Sequence, residues 1–197
     1  MKQIVCLATS PWYPIPTRKQ QVMSRIPDAE ILYFDPSVSV IAPLKDKKAR
    51  PMLTAYKKEG FRPQKNITVY SLPPVLPFFN KSRAINRVNQ KRIAAYVRKI
   101  MKRHGFEKPL LWVYSPVTVD AVEHIPHSAL VYDCVDRHSA YGGLMDPALV
   151  DAEERMVLRF SVTSSPTRPS PRVAPRTNRP FTYSSATDRP STFGSTL

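Results

Sequence analysis

An α/β architecture built on a buried parallel sheet is the fold class this sequence predicts, and three observations carry the prediction. Five short apolar runs rich in β-branched and aromatic residues recur along residues 1–161, each closing on Pro, Ser, Thr or Asp. The runs are continuous rather than alternating, as strands covered on both faces must be. Between them stand stretches of helical period, where the crossovers of parallel strands belong.

The first run, residues 3–9, is followed by a proline-rich loop and a helix over 18–26, for which Thr17 stands as N-cap. A second run occupies 30–35. Residues 38–63 mix a short apolar run with Lys45, Lys47, Lys48, Arg50, Lys57 and Lys58, and read as a surface excursion carrying one short helix around 52–59. The third run, 66–72, leads to a helix over 83–103. The fourth and fifth runs, 110–115 and 129–133, are separated by a helix over 117–124. A last helix over 147–159 opens on Asp146-Pro147, an N-cap followed by proline at the first helical position. The order β-α-β-β-α-β-α-β-α predicts a Rossmann-like doubly wound parallel sheet.

From residue 162 the pattern stops. Residues 162–197 hold seven Ser, seven Thr, six Pro and five Arg, no Lys, and no periodic apolar segment. Such a composition cannot bury enough apolar surface to offset the entropy of ordering, so a disordered tail is expected. A strand is due after Phe160-Ser161, and the Ser/Thr/Pro/Arg-rich stretch that stands there is what translation of a shifted reading frame would give. The expected organisation is therefore a folded domain over 1–161 and a tail over 162–197.

The net charge of +15 is +11 from residues 1–161 and +4 from the tail. That surplus favours anionic partners, whether acidic lipid, nucleic acid or phosphorylated small molecules, without choosing among them. Cys6 and Cys134 each lie in or at the end of an apolar run with no second Cys or His at metal spacing, so they read as buried reduced thiols and no metal site is expected. A reducing cytosol fits. No secretory signal and no apolar stretch of membrane-spanning length is visible, which leaves a soluble or peripheral protein.

Ligands of an open parallel sheet bind beyond the carboxyl ends of its strands, so the loops after each run carry the functional information. No G-x-G-x-x-G and no P-loop is present, and the chain has five glycines in all. After the first run, Trp12 and Tyr13 offer an aromatic platform beside Arg18 at a helix start, a combination suited to a sugar ring and a phosphate. The competing account packs Trp12 at the domain edge and leaves Arg18 solvated. After the fifth run come Asp133, Asp136, Arg137 and His138. Asp133 can accept from sugar hydroxyls or cap loop amides, and Asp136 or His138 can take a proton from an attacking hydroxyl. His138 alone reads equally well as a surface residue.

The helix over 83–103 sits in a segment, 81–103, with nine Lys or Arg and no acidic residue. Ile85, Val88, Ile93, Tyr96, Val97 and Ile100 form its apolar stripe, and Lys91, Arg92, Arg98 and Lys99 face outward. A solvated face is one account. Docking on anionic lipid headgroups is another. Nucleic acid is the least favoured partner, since no helix-turn-helix, RNP-type or zinc-ligand motif accompanies the charge.

Several of these loops together resemble a known family. Pro11-Trp12 with Arg18-x-Gln20-Gln21, Val75-Leu76-Pro77-Phe78 before Asn86 and Asn89, Leu111-Trp112-x-Tyr114-Ser115-Pro116, Val131-Tyr132-Asp133-Cys134-Val135-Asp136 and the helix bearing Glu153-Glu154 are similar to the N-terminal half of bacterial family-4-like glycosyltransferases of the GT-B fold. Within that family the flavour is that of the teichuronic acid biosynthesis enzymes of Gram-positive cell walls. The resemblance covers residues 1–161 and implies the acceptor-side half of a two-domain enzyme. The donor-binding second domain is missing from the sequence, so activity of this half alone is not expected. The resemblance implies transfer of a sugar from a nucleoside-diphosphate donor to a lipid-linked glycan, with no metal and no bound cofactor, at the cytoplasmic face of the membrane. Asp136, His138 and Arg18 would then position the acceptor and balance phosphate charge, with Trp12, Tyr13, Asp133 and Arg137 lining its site. Glu153 and Glu154 belong to the last helix of this half and are not the donor-site glutamates. The alternative from a different class is a non-enzymatic basic module that docks on anionic lipid or nucleic acid.

Overall fold

The computed structural model describes residues 1–133 and 146–163, with side chains to residue 157. Strands β1 (Lys2–Leu7), β2 (Ala29–Asp35), β3 (Phe61–Gln64), β4 (Ile67–Ser71), β5 (Leu110–Val113) and β6 (Ala129–Tyr132) form one six-stranded sheet in the order β3-β4-β2-β1-β5-β6. Every pairing is parallel except β3 with β4, so the sheet is mixed. The five parallel strands lie third, second, first, fourth, fifth in chain order, an arrangement consistent with a Rossmann-like fold. The chain reverses its direction of winding between β1 and β5, which opens a crevice at their carboxyl ends.

The continuous apolar runs have the cause expected of them. In β1, Val5 and Leu7 pack in one buried cluster while Ile4 and Cys6 pack in another on the opposite face. The first cluster is closed by α3 (Arg83–Arg103), α4 (Val119–Val122) and α5 (Pro147–Thr163) through Ile93, Val97, Val122 and Val157. The second is closed by α1 (Arg18–Ser24) through Met23, with Trp12 folded onto the same face. Cys6 is fully buried and reduced.

Three expectations are corrected. The strand β3 was not foreseen: its sequence Phe-Arg-Pro-Gln is mostly exposed, and Pro63 is tolerated because an edge strand needs fewer ladder donors. The excursion before it holds α2 (Ala42–Lys45) and 3-10 turns at Lys47–Leu53 and Ala55–Lys57 in place of one helix. The stripe of α3 also shifts. Val88 is half exposed, and the first two buried turns present Asn86, Asn89 and Gln90 instead. Those amides have polar partners that an apolar count cannot show. Among the described residues no helix is long and apolar enough to cross a membrane.

Candidate functional site

Gln20 makes several of the bonds that hold the loop after β1. Gln20, 3% exposed in α1, accepts from the Thr17 N–H at 2.8 Å and donates to the carbonyls of Pro11 at 2.7 Å and Trp12 at 3.1 Å. With these bonds the proline-rich segment folds back, and Trp12 is buried edge-on against Tyr33 with ring centres 4.9 Å apart. The Trp12 N–H donates to Asp35 Oδ1 at 2.8 Å. Trp12 therefore sits in the core, on the side of the packed alternative. Tyr13 is 58% exposed and stacks on Phe61 of the edge strand at 5.6 Å.

Arg18, at the first position of α1, meets Asp133 at the end of β6 through both carboxylate oxygens, each 3.0 Å from Nη1. The hydrogen bond to Asp133, then its charge, pushes the Arg18 guanidinium pKa up. Beside them Lys19 places its ammonium 5.3 Å from the centre of the Tyr114 ring, a cation–π distance. Asp35, at the end of β2, has its carboxyl pushed up to about 6 by burial, against the lowering effect of the Trp12 N–H. Arg18, Lys19, Asp35 and Asp133 thus gather near the carboxyl edge on the α1 side of the sheet. Asp136, Arg137 and His138 lie outside the described residues. Lys91, Arg92, Arg98 and Lys99 are all exposed on α3, with the Arg98 guanidinium donating to the His124 carbonyl at 2.6 Å.

On the other side of the same edge lies a cavity of about 210 Å³, walled by Leu7, Leu72, Val75, Phe79, Ile93 and Val117 and reached by Ser37 and Gln90. Behind it runs a buried polar chain. Arg83 donates to Asp120 at 2.8 Å and to Glu153 at 3.2 Å, while Asn86 donates to Glu153 at 2.9 Å and to the Val117 carbonyl at 2.8 Å. Burial raises the Glu153 carboxyl pKa, and Asn86 and Arg83 pull it back. Sequence reasoning missed Asp35, Ser37, Arg83, Gln90 and Asp120. The signal for part of the chain was present in Asn86, Asn89 and Gln90, three amides at helical spacing among apolar positions. Among the described residues no group of three or more His, Cys, Asp or Glu could hold a metal ion.

Comparison with protein-family models, curated proteins and solved structures finds no match to this chain. The fold and its edge define an α/β protein with an open mostly parallel sheet, a charged side and a neutral cavity side flanking its switch point.

Proposed function

We propose that this chain is the acceptor-side half of a GT-B glycosyltransferase, one that accepts a lipid-linked glycan of the cell surface and receives its sugar from a nucleoside-diphosphate donor. Teichuronic acid is the polymer suggested by the resemblance of the loops. The observation that carries the reading is the edge itself. A third-second-first-fourth-fifth parallel order opens a crevice at the switch point, and a neutral cavity and a charged cluster flank that crevice. Both kinds of surface are what a glycan joined to a pyrophosphate lipid needs. In this reading Arg18 and Lys19 face the phosphates, Asp133 orients a hydroxyl, and Asp136 or His138 assists its deprotonation.

Peripheral attachment to the inner face of the membrane belongs to the same proposal. The exposed bases of α3 are joined by Leu44, 86% exposed, and Met52, 47% exposed, in the lysine-rich excursion. Apolar side chains among bases suit a lipid headgroup layer better than a nucleic acid backbone. That observation also favours the second reading, a basic lipid-docking module without catalysis.

The test is sugar transfer. The chain, supplied with a donor-binding partner domain, is offered a panel of nucleoside-diphosphate sugars with lipid-linked glycans in membranes, beside its Asp133→Asn and Lys19→Met variants. Transfer that falls at least tenfold in both variants is expected. Absence of transfer with every donor, together with salt-sensitive binding to anionic vesicles, would leave the docking module as the reading.

A further inference from the structure

The loops that follow β2 and β4 hold apolar side chains out to solvent at the carboxyl edge of the sheet. Leu44 is 86% exposed, Phe78 62%, and Val40 and Leu76 38% each. The two loops are stitched together, since the Val40 N–H donates to the Val75 carbonyl and the Val75 N–H to the Val38 carbonyl, each at 2.9 Å. Asn89 of α3 then grips the backbone of Leu76, accepting from its N–H at 2.8 Å and donating to its carbonyl at 3.1 Å. The exposure is therefore a property of a fixed backbone. Phe78 adds a second observation. Its φ of +62° is a left-handed conformation that destabilises a bulky aromatic, and a ring left mostly in water offsets little of that cost by burial. Strain of this kind clusters at functional sites.

Charge identifies the contact. Lys45, Lys47 and Lys48 follow Leu44 with Asp46 among them, Lys81 stands three residues after Phe78, and all four lysines are exposed. Asp46 is engaged locally, accepting from the Lys48 N–H at 2.9 Å. Leucine and phenylalanine side chains flanked by lysines fit an anionic bilayer surface, where the apolar groups enter the acyl boundary and the ammonium groups stay at the headgroups. A nucleic acid would match the charge and leave the leucine and phenylalanine in water. The bases of α3 lie further from this rim. Lys91 and Lys99 stand about 12 and 24 Å along the helix from Arg83. By contrast Val75 and Phe79, chain neighbours of Leu76 and Phe78, wall the cavity at the carboxyl edge.

We infer that the rim formed by residues 38–48 and 75–81 is the membrane-docking surface, and that it turns the carboxyl edge of the sheet, with its crevice, toward an anionic leaflet. The inference rests on the peripheral attachment proposed above and fixes its orientation, so that a lipid-linked acceptor enters the crevice from the bilayer side. The experiment is co-sedimentation of the chain with vesicles of equimolar phosphatidylglycerol and phosphatidylcholine, beside the double variants Leu44→Ser/Phe78→Asn and Lys91→Gln/Arg92→Gln. The rim variant is expected to lose binding by about tenfold or more, and the helix variant by about twofold or less. All four substituted side chains are exposed, and an unchanged near-ultraviolet circular dichroism spectrum shows that the fold is intact. In Phe78→Trp, lipids brominated in the acyl chain are expected to quench fluorescence beyond the wild-type level, and in Lys91→Trp they are not. Binding kept in the rim variant and lost in the helix variant overturns the assigned surface and leaves peripheral attachment standing. Equal quenching in the two tryptophan variants overturns the orientation. If the wild type binds no vesicles, the inference and the attachment fall together, while sugar transfer to a detergent-solubilised acceptor still reports the glycosyltransferase reading by itself. Self-association lost in the rim variant would then make the rim an interface between copies of the chain.

Discussion

Arg83→Met is the substitution that most directly probes the buried chain behind the cavity. The guanidinium serves two carboxylates at once, Asp120 at 2.8 Å and Glu153 at 3.2 Å, whose side chains are 5% and 1% exposed. Asp120 retains Arg87 at 3.8 Å after the substitution, but among the described residues Glu153 keeps only the Asn86 amide. Removing one partner of a buried pair costs about 3–5 kcal/mol, and protonation of Glu153 caps the loss near the lower end. A deficit of about 3 kcal/mol at pH 7.5 lowers the melting temperature by about 6–12 °C for a chain of this size.

The sign of the pH dependence follows from the direction of the Glu153 shift. Its folded-state pKa is raised, so the folded state holds the proton more tightly and stability falls as pH climbs from the ordinary Glu range through the folded value. Without Arg83 the folded value rises further, and the fall is deeper. Below the unfolded value, about 4.3, Glu153 is neutral in both states and its part of the gap closes. Thermal melts followed by circular dichroism at pH 4.5, 6 and 7.5 measure the gap. Adding Glu153→Gln, which keeps an acceptor for Asn86 and removes the charge, is expected to recover about two thirds of the loss at pH 7.5. A gap below about 2 °C at pH 7.5, or one that does not narrow toward pH 4.5, refutes the reasoning.

Three further outcomes are expected. Asp35→Asn keeps an acceptor for the Trp12 N–H but abolishes a carboxyl whose folded pKa of about 6 lies above its ordinary 3.8. Wild type therefore loses stability between pH 4 and 6 while the variant does not, giving the variant an advantage of about 1–2 kcal/mol at pH 7.5 after solvent screening, read from melts at the two ends. Gln20→Ala removes all three bonds that fold the loop back, and is expected to cost about 1–3 kcal/mol and to speed amide exchange across residues 11–17, seen by hydrogen-exchange mass spectrometry. Phe78 is 62% exposed with φ +62°, a left-handed conformation that costs a bulky residue about 1 kcal/mol, so Phe78→Asn is expected to raise the urea midpoint.

The central parallel strands were legible because burial on both faces leaves continuous apolar runs, and 3–9 or 30–35 can hardly be read otherwise. The edge strand was illegible for the complementary reason: Arg62, Pro63 and Gln64 look outward, and only its pairing with β4 makes it a strand. Arg18 and Asp133 could be placed at strand ends, but not joined, since 115 residues separate them and only the register of β1, β5 and β6 brings them within 3.0 Å. Trp12 shows the opposite failure. An aromatic in a proline-rich loop reads as a platform, yet Gln20, quoted only within a motif, and Asp35, taken only as the end of a run, turn it inward.

The pairing of Arg18 with Asp133 also decides which base on the charged side can meet a phosphate. Arg18 is already neutralised by a two-oxygen contact, so an anion must displace Asp133 to reach it. The arginine side of the pair is 56% exposed, where water screens an ion pair strongly, so displacement is within reach of a doubly charged ligand. Among the described residues no carboxylate is paired with Lys19. Its ammonium rests on the Tyr114 ring, an attraction that a phosphate can supplement rather than replace. A pyrophosphate at this edge would therefore engage Lys19 first and free Asp133 only on binding Arg18, which would couple arrival of the charged group to release of a carboxylate able to orient a sugar hydroxyl.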